Sequence, residues 1–239
     1  MARRPARKAA GKSARTVPAS SATPTTEREK IVAALLALLA EKSFETIGLA
    51  EIARHAGVSL AQLRGEFGST FAILSEFIKA TDRAVLSADS SDMEEEPERE
   101  RLFDVLMRRL ETLAPHREAV RSLLRSARRD PPLAIALNRL AVRSQQWMLT
   151  AAGIGASGPR GMIRSQGLAM LFASVLRTWI DDDDPGQART MAALDRALGR
   201  GQRFAGFLDD LCYIPSRLCR LRSRRRSRYD DDSEETVAA

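Results

Sequence analysis

With 239 residues, the chain is long enough for one large or two small domains around a real apolar core. Hydrophobic residues make up 44% and aromatics only 5%, with Ala, Leu and Arg abundant, which favours helices over strands and excludes a wholly disordered chain. The net charge is +7, and the excess sits in the tails: residues 1–26 hold six Lys or Arg and no acid, residues 213–239 are again basic, and the stretch between is close to neutral.

Residues 1–25 have no hydrophobic periodicity and are expected to form a disordered basic arm. Such an arm reads first as a nucleic-acid contact, with a solubilising tail as the plainer alternative. No apolar segment follows the charged start, so a secretion signal is not expected, and no apolar run is long enough to span a membrane. Its Arg, Ala and Ser content also resembles an organelle transit peptide. Thr26 and Glu29 have the spacing of a capping box, and Ile31, Leu35, Leu38 and Leu39 share one face of the helix that follows. That helix is expected to end near Ser43, with Phe44 and Ile47 filling the corner beyond it.

The next segment, from Leu49 to Leu74, carries the most information. Leu49, Ile52, Ala53 and Ala56 fall at i, i+3, i+4 and i+7 of a helix, and Gly57 is placed to stop it in the left-handed conformation. Ser59 can cap a second short helix anchored by Leu63 and Phe67. Gly68 ends that helix and Ser69 can cap a longer one, through Phe71, Leu74, Phe77, Ile78 and Leu86 to about Ser87. Two short helices joined by so tight a turn form a helix-turn-helix unit, which presents its second helix to the DNA major groove.

An acidic stretch, Ala88 to Glu96, marks a boundary between a DNA-binding domain at 26–88 and a second helical domain at 97–212. Pro97 suits a first helical turn, and Leu102, Phe103, Leu106, Leu110 and Leu113 follow at helical spacing. A helix after Pro115 carries Val120, Leu123 and Leu124 with a basic exposed side, and Asp130 begins a long helix through Leu137, Leu140, Trp147 and Met148. Residues 153–161 read as a loop, 162–180 as an apolar helix, and Asp184-Pro185 as the cap and first residue of a last helix. No long segment alternates with period two, so the fold class is all-α. The charged tail at 213–239 holds Cys219, and Cys212 lies just before it. Six residues separate the two, which fits no common zinc spacing and reads as two reduced thiols in a cytoplasmic protein.

Three motifs resolve to plainer roles. Gly153, Gly155 and Gly158 spell G-x-G-x-x-G, but a helix precedes them where a dinucleotide site needs a strand, so a helix–helix connection is expected. Asp181 to Asp184 read as a solvated connection whose last member caps a helix rather than as a cation site. The two histidines, His55 and His116, suggest no shared site. No nucleophile–base arrangement, metal cluster or cofactor fingerprint remains, so the chain is expected not to be an enzyme and to need no cofactor.

The order Ile52-Ala53, Gly57-Val58-Ser59, Leu63, Phe67, Gly68-Ser69 and Leu74 resembles the DNA-binding domain of TetR-type transcription regulators, over roughly residues 26–80. That resemblance implies a three-helix DNA-binding domain followed by a helical domain for ligand binding and dimerisation. It implies double-stranded DNA and a second copy of the chain as partners, with DNA binding biased by a small apolar ligand and a repressor's role. Gly48, Ser59, Leu60, Ala61, Gln62, Arg64 and Thr70 then fall on the DNA-facing surface, with Arg3, Arg4 and Arg7 of the arm beside them. Arg64, Thr70 and Gly48 replace the tyrosine, lysine and threonine that the family usually has there, and Gly65 and Glu66 suit a recognition helix poorly. Arginine can still pair with guanine, and glutamine with adenine.

The run RLFDVLMRRLETLAPHREAVRSLLR, with Trp147, Trp179-Ile180-Asp181 and TMAALDRAL, resembles the C-terminal domain of the ubiquinone-biosynthesis accessory protein, a lipid binder on a TetR-like fold. The alternative it implies is a lipid- or isoprenoid-binding accessory protein without specific DNA readout. Both readings put a small apolar ligand in the second domain, lined by Phe103, Leu106, Trp147, Met148, Phe172 and Trp179, with no obvious cluster of buried charges.

Overall fold

The computed structural model describes residues 26–88 and 95–201. The basic arm with Arg3, Arg4 and Arg7, most of the acidic stretch, and the C-terminal tail with both cysteines lie outside the described residues. The described chain is helical throughout: α1 Glu27–Glu41, α2 Leu49–Ala56, α3 Leu60–Glu66, α4 Thr70–Leu86, α5 Glu98–Leu113, α6 Arg117–Arg129, α7 Pro131–Ala151 and α8 Gly158–Trp179. A further helix, α9, begins at 188 and runs to the last described residue, 201.

Helix α1 starts at the expected capping box, in which Thr26 Oγ1 accepts from the Glu29 amide at 3.2 Å and Glu29 Oε2 accepts from the Thr26 amide at 3.2 Å. Such a cap contributes about 1 kcal/mol. The helix buries Ile31, Leu35, Leu38 and Leu39 as the spacing predicts, and also Ala34 and Leu36, because α2, α4 and α6 pack around it. Helix α4 then joins the two halves of the molecule. Ile73, Leu74 and Phe77 are buried along its first half, and Thr81, Asp82 and Val85 along its second, with α1, α5 and α7 as its packing partners. One apolar core thus runs from the helix-turn-helix into the second half.

Helix α6 is pinned to the N-terminal half by two serines. Ser122 Oγ donates to the Lys42 carbonyl at 2.6 Å, and Ser126 Oγ accepts from the Phe44 amide at 3.1 Å. Helices α7 and α8 pack against each other, with the side-chain amides of Asn138 and Gln166 exchanging hydrogen bonds at 3.0 and 3.1 Å.

Two boundaries differ from expectation. The loop between α7 and α8 is shorter than 153–161, because α8 already begins at Gly158. A Cβ on Gly161, inside that first turn, would lie 2.1 Å from the Ala156 backbone carbon, so the loop closes on the helix only where no side chain exists. The last helix begins at 188 rather than at Asp184-Pro185. Asp184 does accept from the Ala188 amide at 3.1 Å, but across an intervening turn. The acidic connection is also not wholly solvated. Asp182 is buried, and its Oδ2 accepts from the Thr190 amide at 2.8 Å and the Thr190 hydroxyl at 2.6 Å. A buried carboxylate needs such donors, and these bonds, with the Thr190 hydroxyl first, hold Asp182 below the usual carboxylate range.

Candidate nucleic-acid interface

The helix-turn-helix is built as its sequence implies. Gly57 ends α2 at φ +68°, and the Val58 amide reaches back to the Ala53 carbonyl at 3.0 Å, the six-to-one closure of a left-handed cap. Two residues later Ser59 opens α3. Its Oγ accepts from the Gln62 amide at 3.1 Å, and Gln62 Oε1 accepts from the Ser59 amide at 2.8 Å. Leu63 and the following Phe67 are 2% and 4% exposed, so they fix α3 to the core by one edge. The other edge is free. Ser59, Leu60, Ala61, Gln62 and Arg64 all face solvent, with Leu60 55% exposed.

These residues form one surface with the start of two neighbouring helices. Gly48 caps α2 without a side-chain hydrogen bond, so the first amides of α2 remain open. Ser69 caps α4 through the Ala72 amide at 3.1 Å, leaving Thr70 half-buried at its first turn. Helix starts of this kind suit phosphate oxygens, which accept from backbone amides.

Charge on this surface is better balanced than the sequence suggests. Glu66, an anion where phosphates would approach, accepts a hydrogen bond from Arg28 of α1 at 3.1 Å. The same guanidinium reaches Glu76 of α4 at 3.0 Å and lies 4.5 Å over the Phe67 ring. Arg28 is thereby held above its ordinary pKa, mainly by its bond to Glu76. Burial alone would raise Glu76, but hydrogen bonds from Arg28 and Arg83 outweigh it and keep the carboxyl below its usual range. The ion pairs tie α1, α3 and α4 together and remove Glu66 as a bare repulsive charge.

Of the two polar side chains suited to bases, only Arg64 is unengaged. It has no hydrogen-bond partner among the described residues. Gln62 is occupied at both ends, with Oε1 in the capping box and Nε2 donating to Glu27 at 2.7 Å. Sequence reasoning took Gln62 as a reader of bases; in the structure it is first a cap.

The predicted ligand-lining residues divide. Leu106, Met148, Phe172 and Trp179 meet in the buried core of the second half, and Phe103 packs against its edge. Trp147 does not join them. It is 56% exposed and borders an open groove of about 930 Å³ between α7 and α8, together with Arg143, Thr150, Met162 and Ile163.

The core also contains what the sequence reading did not find, a buried charge pair. Arg109 of α5 binds Asp82 of α4, and Ser144 of α7 donates to the same carboxylate at 2.7 Å. The guanidinium lies 5.5 Å over Phe172, and neither its Nε nor the nearby buried Gln145 Oε1 of α7 has a partner. The sequence did carry a signal: Arg109 falls seven residues after Leu102 and four after Val105, on the buried stripe of α5, whereas half-buried Arg108 beside it pairs with Asp104.

Comparison with solved structures settles the architecture. The chain superposes on a TetR transcriptional regulator from Nitrosomonas europaea with a TM-score of 0.59, at 23% identity, over 74% of this chain and 98% of that one. The fold is TetR-like. A TetR transcriptional regulator from a Rhodococcus species superposes with a TM-score of 0.51 at 19% identity, over 74% of this chain and 94% of that one. No family model matches the sequence, and no curated protein matches it. In this chain α2 and α3 form the helix-turn-helix, and α5 to α9 follow as the second half. Among the described residues no group of His, Cys, Asp and Glu is arranged to hold a metal ion, and no helix is long and apolar enough to cross a membrane.

Proposed function

We propose that the protein is a DNA-binding transcription regulator of the TetR type, acting as a repressor. The observation that carries this reading is α3: a helix capped at Ser59, held by Leu63 and Phe67, and otherwise open along Leu60, Ala61 and Arg64. Arg64 is the residue for a two-pronged contact to guanine, and Leu60 and Ala61 suit a thymine methyl. The open amides at Gly48 and the start of α4 at Thr70 bind phosphates on either side, and the arm with Arg3, Arg4 and Arg7 adds sequence-independent attraction. The active species is a homodimer paired through α8 and α9. Support comes from Met162, Ile163 and Met170 of α8, which are 63%, 56% and 66% exposed.

Control rests on a ligand in the second half. The Asp82–Arg109–Ser144 cluster, set among Leu106, Met148 and Phe172, joins α4 to α5 and α7. A largely apolar molecule that separates these helices would move α4 and with it the helix-turn-helix. Its effect is bounded by its preference for one arrangement over the other.

The test is selection from a random duplex pool by the full-length protein, followed by sequencing of the retained DNA. A two-fold symmetric motif is expected, weakened at one base pair per half-site by Arg64→Ala. Retention of no sequence above background, together with binding of extracted lipid, would leave the lipid-binding alternative standing instead.

A further inference from the structure

Helix α6 carries five arginines, and they divide into two groups. Arg117 and Arg121, in its first two turns, serve the fold. Arg117 donates to the Asp182 carbonyl at 2.8 Å and lies 4.9 Å over Trp179. Arg121 pairs with Asp181 at 2.8 Å and donates to the Ile180 carbonyl. Together they hold the connection between α8 and α9. Arg125, Arg128 and Arg129 do nothing of the kind. All three are exposed, and Arg125 and Arg128 have no hydrogen-bond or ion-pair partner among the described residues. Their spacing, i, i+3 and i+4, places them on one stripe, whose Arg129 edge borders the packed face of Ala119, Val120, Ser122 and Ser126.

The stripe lies at the end of α6 that touches the DNA-binding half. Ser126, between Arg125 and Arg128, holds the Phe44 amide. Glu45, the next residue, is kept below its ordinary pKa by its own backbone amide, then by Ser126, and also by the charge of Arg129. The single helical turn Phe44–Thr46 leads directly to Gly48 and the open amides of α2. Arg129 thus stands beside the turn that leads to the helix start the DNA reading assigns to phosphate, and Arg125 and Arg128 extend the same stripe without a partner among the described residues. The favourable field at a helix C-terminus accounts for Arg128 and Arg129 in the last turn, but Arg125 stands a turn earlier.

We propose that Arg125, Arg128 and Arg129 form a second, sequence-independent DNA contact, gripping phosphates that flank the segment read by α3. This rests on the DNA-binding function proposed above. The chemistry required is a polyanion with evenly spaced charges, which a duplex backbone supplies.

The experiment uses full-length protein, a duplex it selects and an unrelated duplex of equal length, with affinity measured across salt concentration. Each phosphate neutralised contributes about 0.9 to the slope of log affinity against log salt. The Arg125→Gln/Arg128→Gln/Arg129→Gln variant is expected to flatten that slope by about two to three on both duplexes, with their affinity ratio unchanged. The matching triple lysine variant should restore the slope, because only charge is required. Trimming the selected duplex to the segment read by α3 should erase the difference between wild type and the glutamine variant. An unchanged slope in the glutamine variant overturns the proposal and leaves the regulator reading intact. So does a slope that falls without rescue by lysine, or an unchanged slope accompanied by arginine-dependent binding to phosphatidylserine vesicles. A wild-type protein that binds no duplex overturns the regulator reading first.

Discussion

Gln62 and Arg64 stand two residues apart on α3 and invite the same reading in sequence, yet they do different work. Because Gln62 closes the capping box and also binds Glu27, Gln62→Ala should lower the stability of the free protein by about 1 kcal/mol while leaving base preference nearly intact. Thermal melting and a repeat of the DNA selection measure the two effects separately. Arg64→Ala should do the reverse, costing about 1–3 kcal/mol of discrimination at one base pair with melting unchanged. His116 gives a pH dependence of its own. Burial lowers its pKa from 6.5, and its ring meets Phe77 of α4 edge-on at 5.3 Å. A histidine whose folded pKa is depressed contributes stability that is fully present above its unfolded pKa and is lost as pH falls through the folded value. Stability should therefore decline as the pH drops below 6.5, before the carboxylates titrate, and His116→Gln should flatten that limb in a denaturant series across pH.

At the level of elements, the helix-turn-helix was almost wholly readable. Its features are local: a left-handed glycine, two serine caps and apolar residues three and four apart, each acting within a turn of its own position. The second half was readable as helices but not as a site. Arg109 and Asp82 lie 27 residues apart, on helices divided by the acidic stretch, and no spacing rule joins them. Trp147 shows the converse error: an aromatic next to Met148 looks like core, but neighbours on a helix point about 100° apart, and Trp147 falls on the open side. The buried pair leads to a prediction about α4. Arg109→Leu strands the Asp82 carboxylate and should cost about 3–5 kcal/mol, whereas Asp82→Leu/Arg109→Leu should recover much of that loss. Chemical denaturation of the three proteins checks it. The double variant should also respond less to any ligand, read as a smaller shift in DNA affinity, because the polar joint between α4 and α5 is gone.

For the whole molecule, the proposed regulator function turns on the distance between two copies of α3, which a single copy does not possess. A helix-turn-helix as small as α2–α3, with one free arginine, has little specificity alone. Pairing two copies would set the α3 helices about one DNA turn apart, roughly 34–36 Å, and double the contacts. The exposed residues of α8 are the means that the proposed pairing would use. Ile163, Gln166 and Met170 recur at i, i+3 and i+7 along one stripe, with Met162 beside them, and Gln166 already bonds Asn138 on α7. So many large apolar groups along one helix are expensive to leave in water, at about 25 cal/mol per Å² of apolar surface. Sedimentation at micromolar concentration should therefore give about twice the 26.3 kDa chain mass. Ile163→Glu/Met170→Glu should shift the protein to the monomer with its helical content intact, since neither side chain is buried in the single copy, and should remove the dependence of melting temperature on protein concentration that pairing confers. DNA binding separates the causes. If pairing through α8 sets the half-site spacing, the glutamate variant keeps weak binding to a single half-site and loses the gain from the second. A variant that stays dimeric would move the interface elsewhere, and a monomeric wild type would remove the geometric basis for operator recognition.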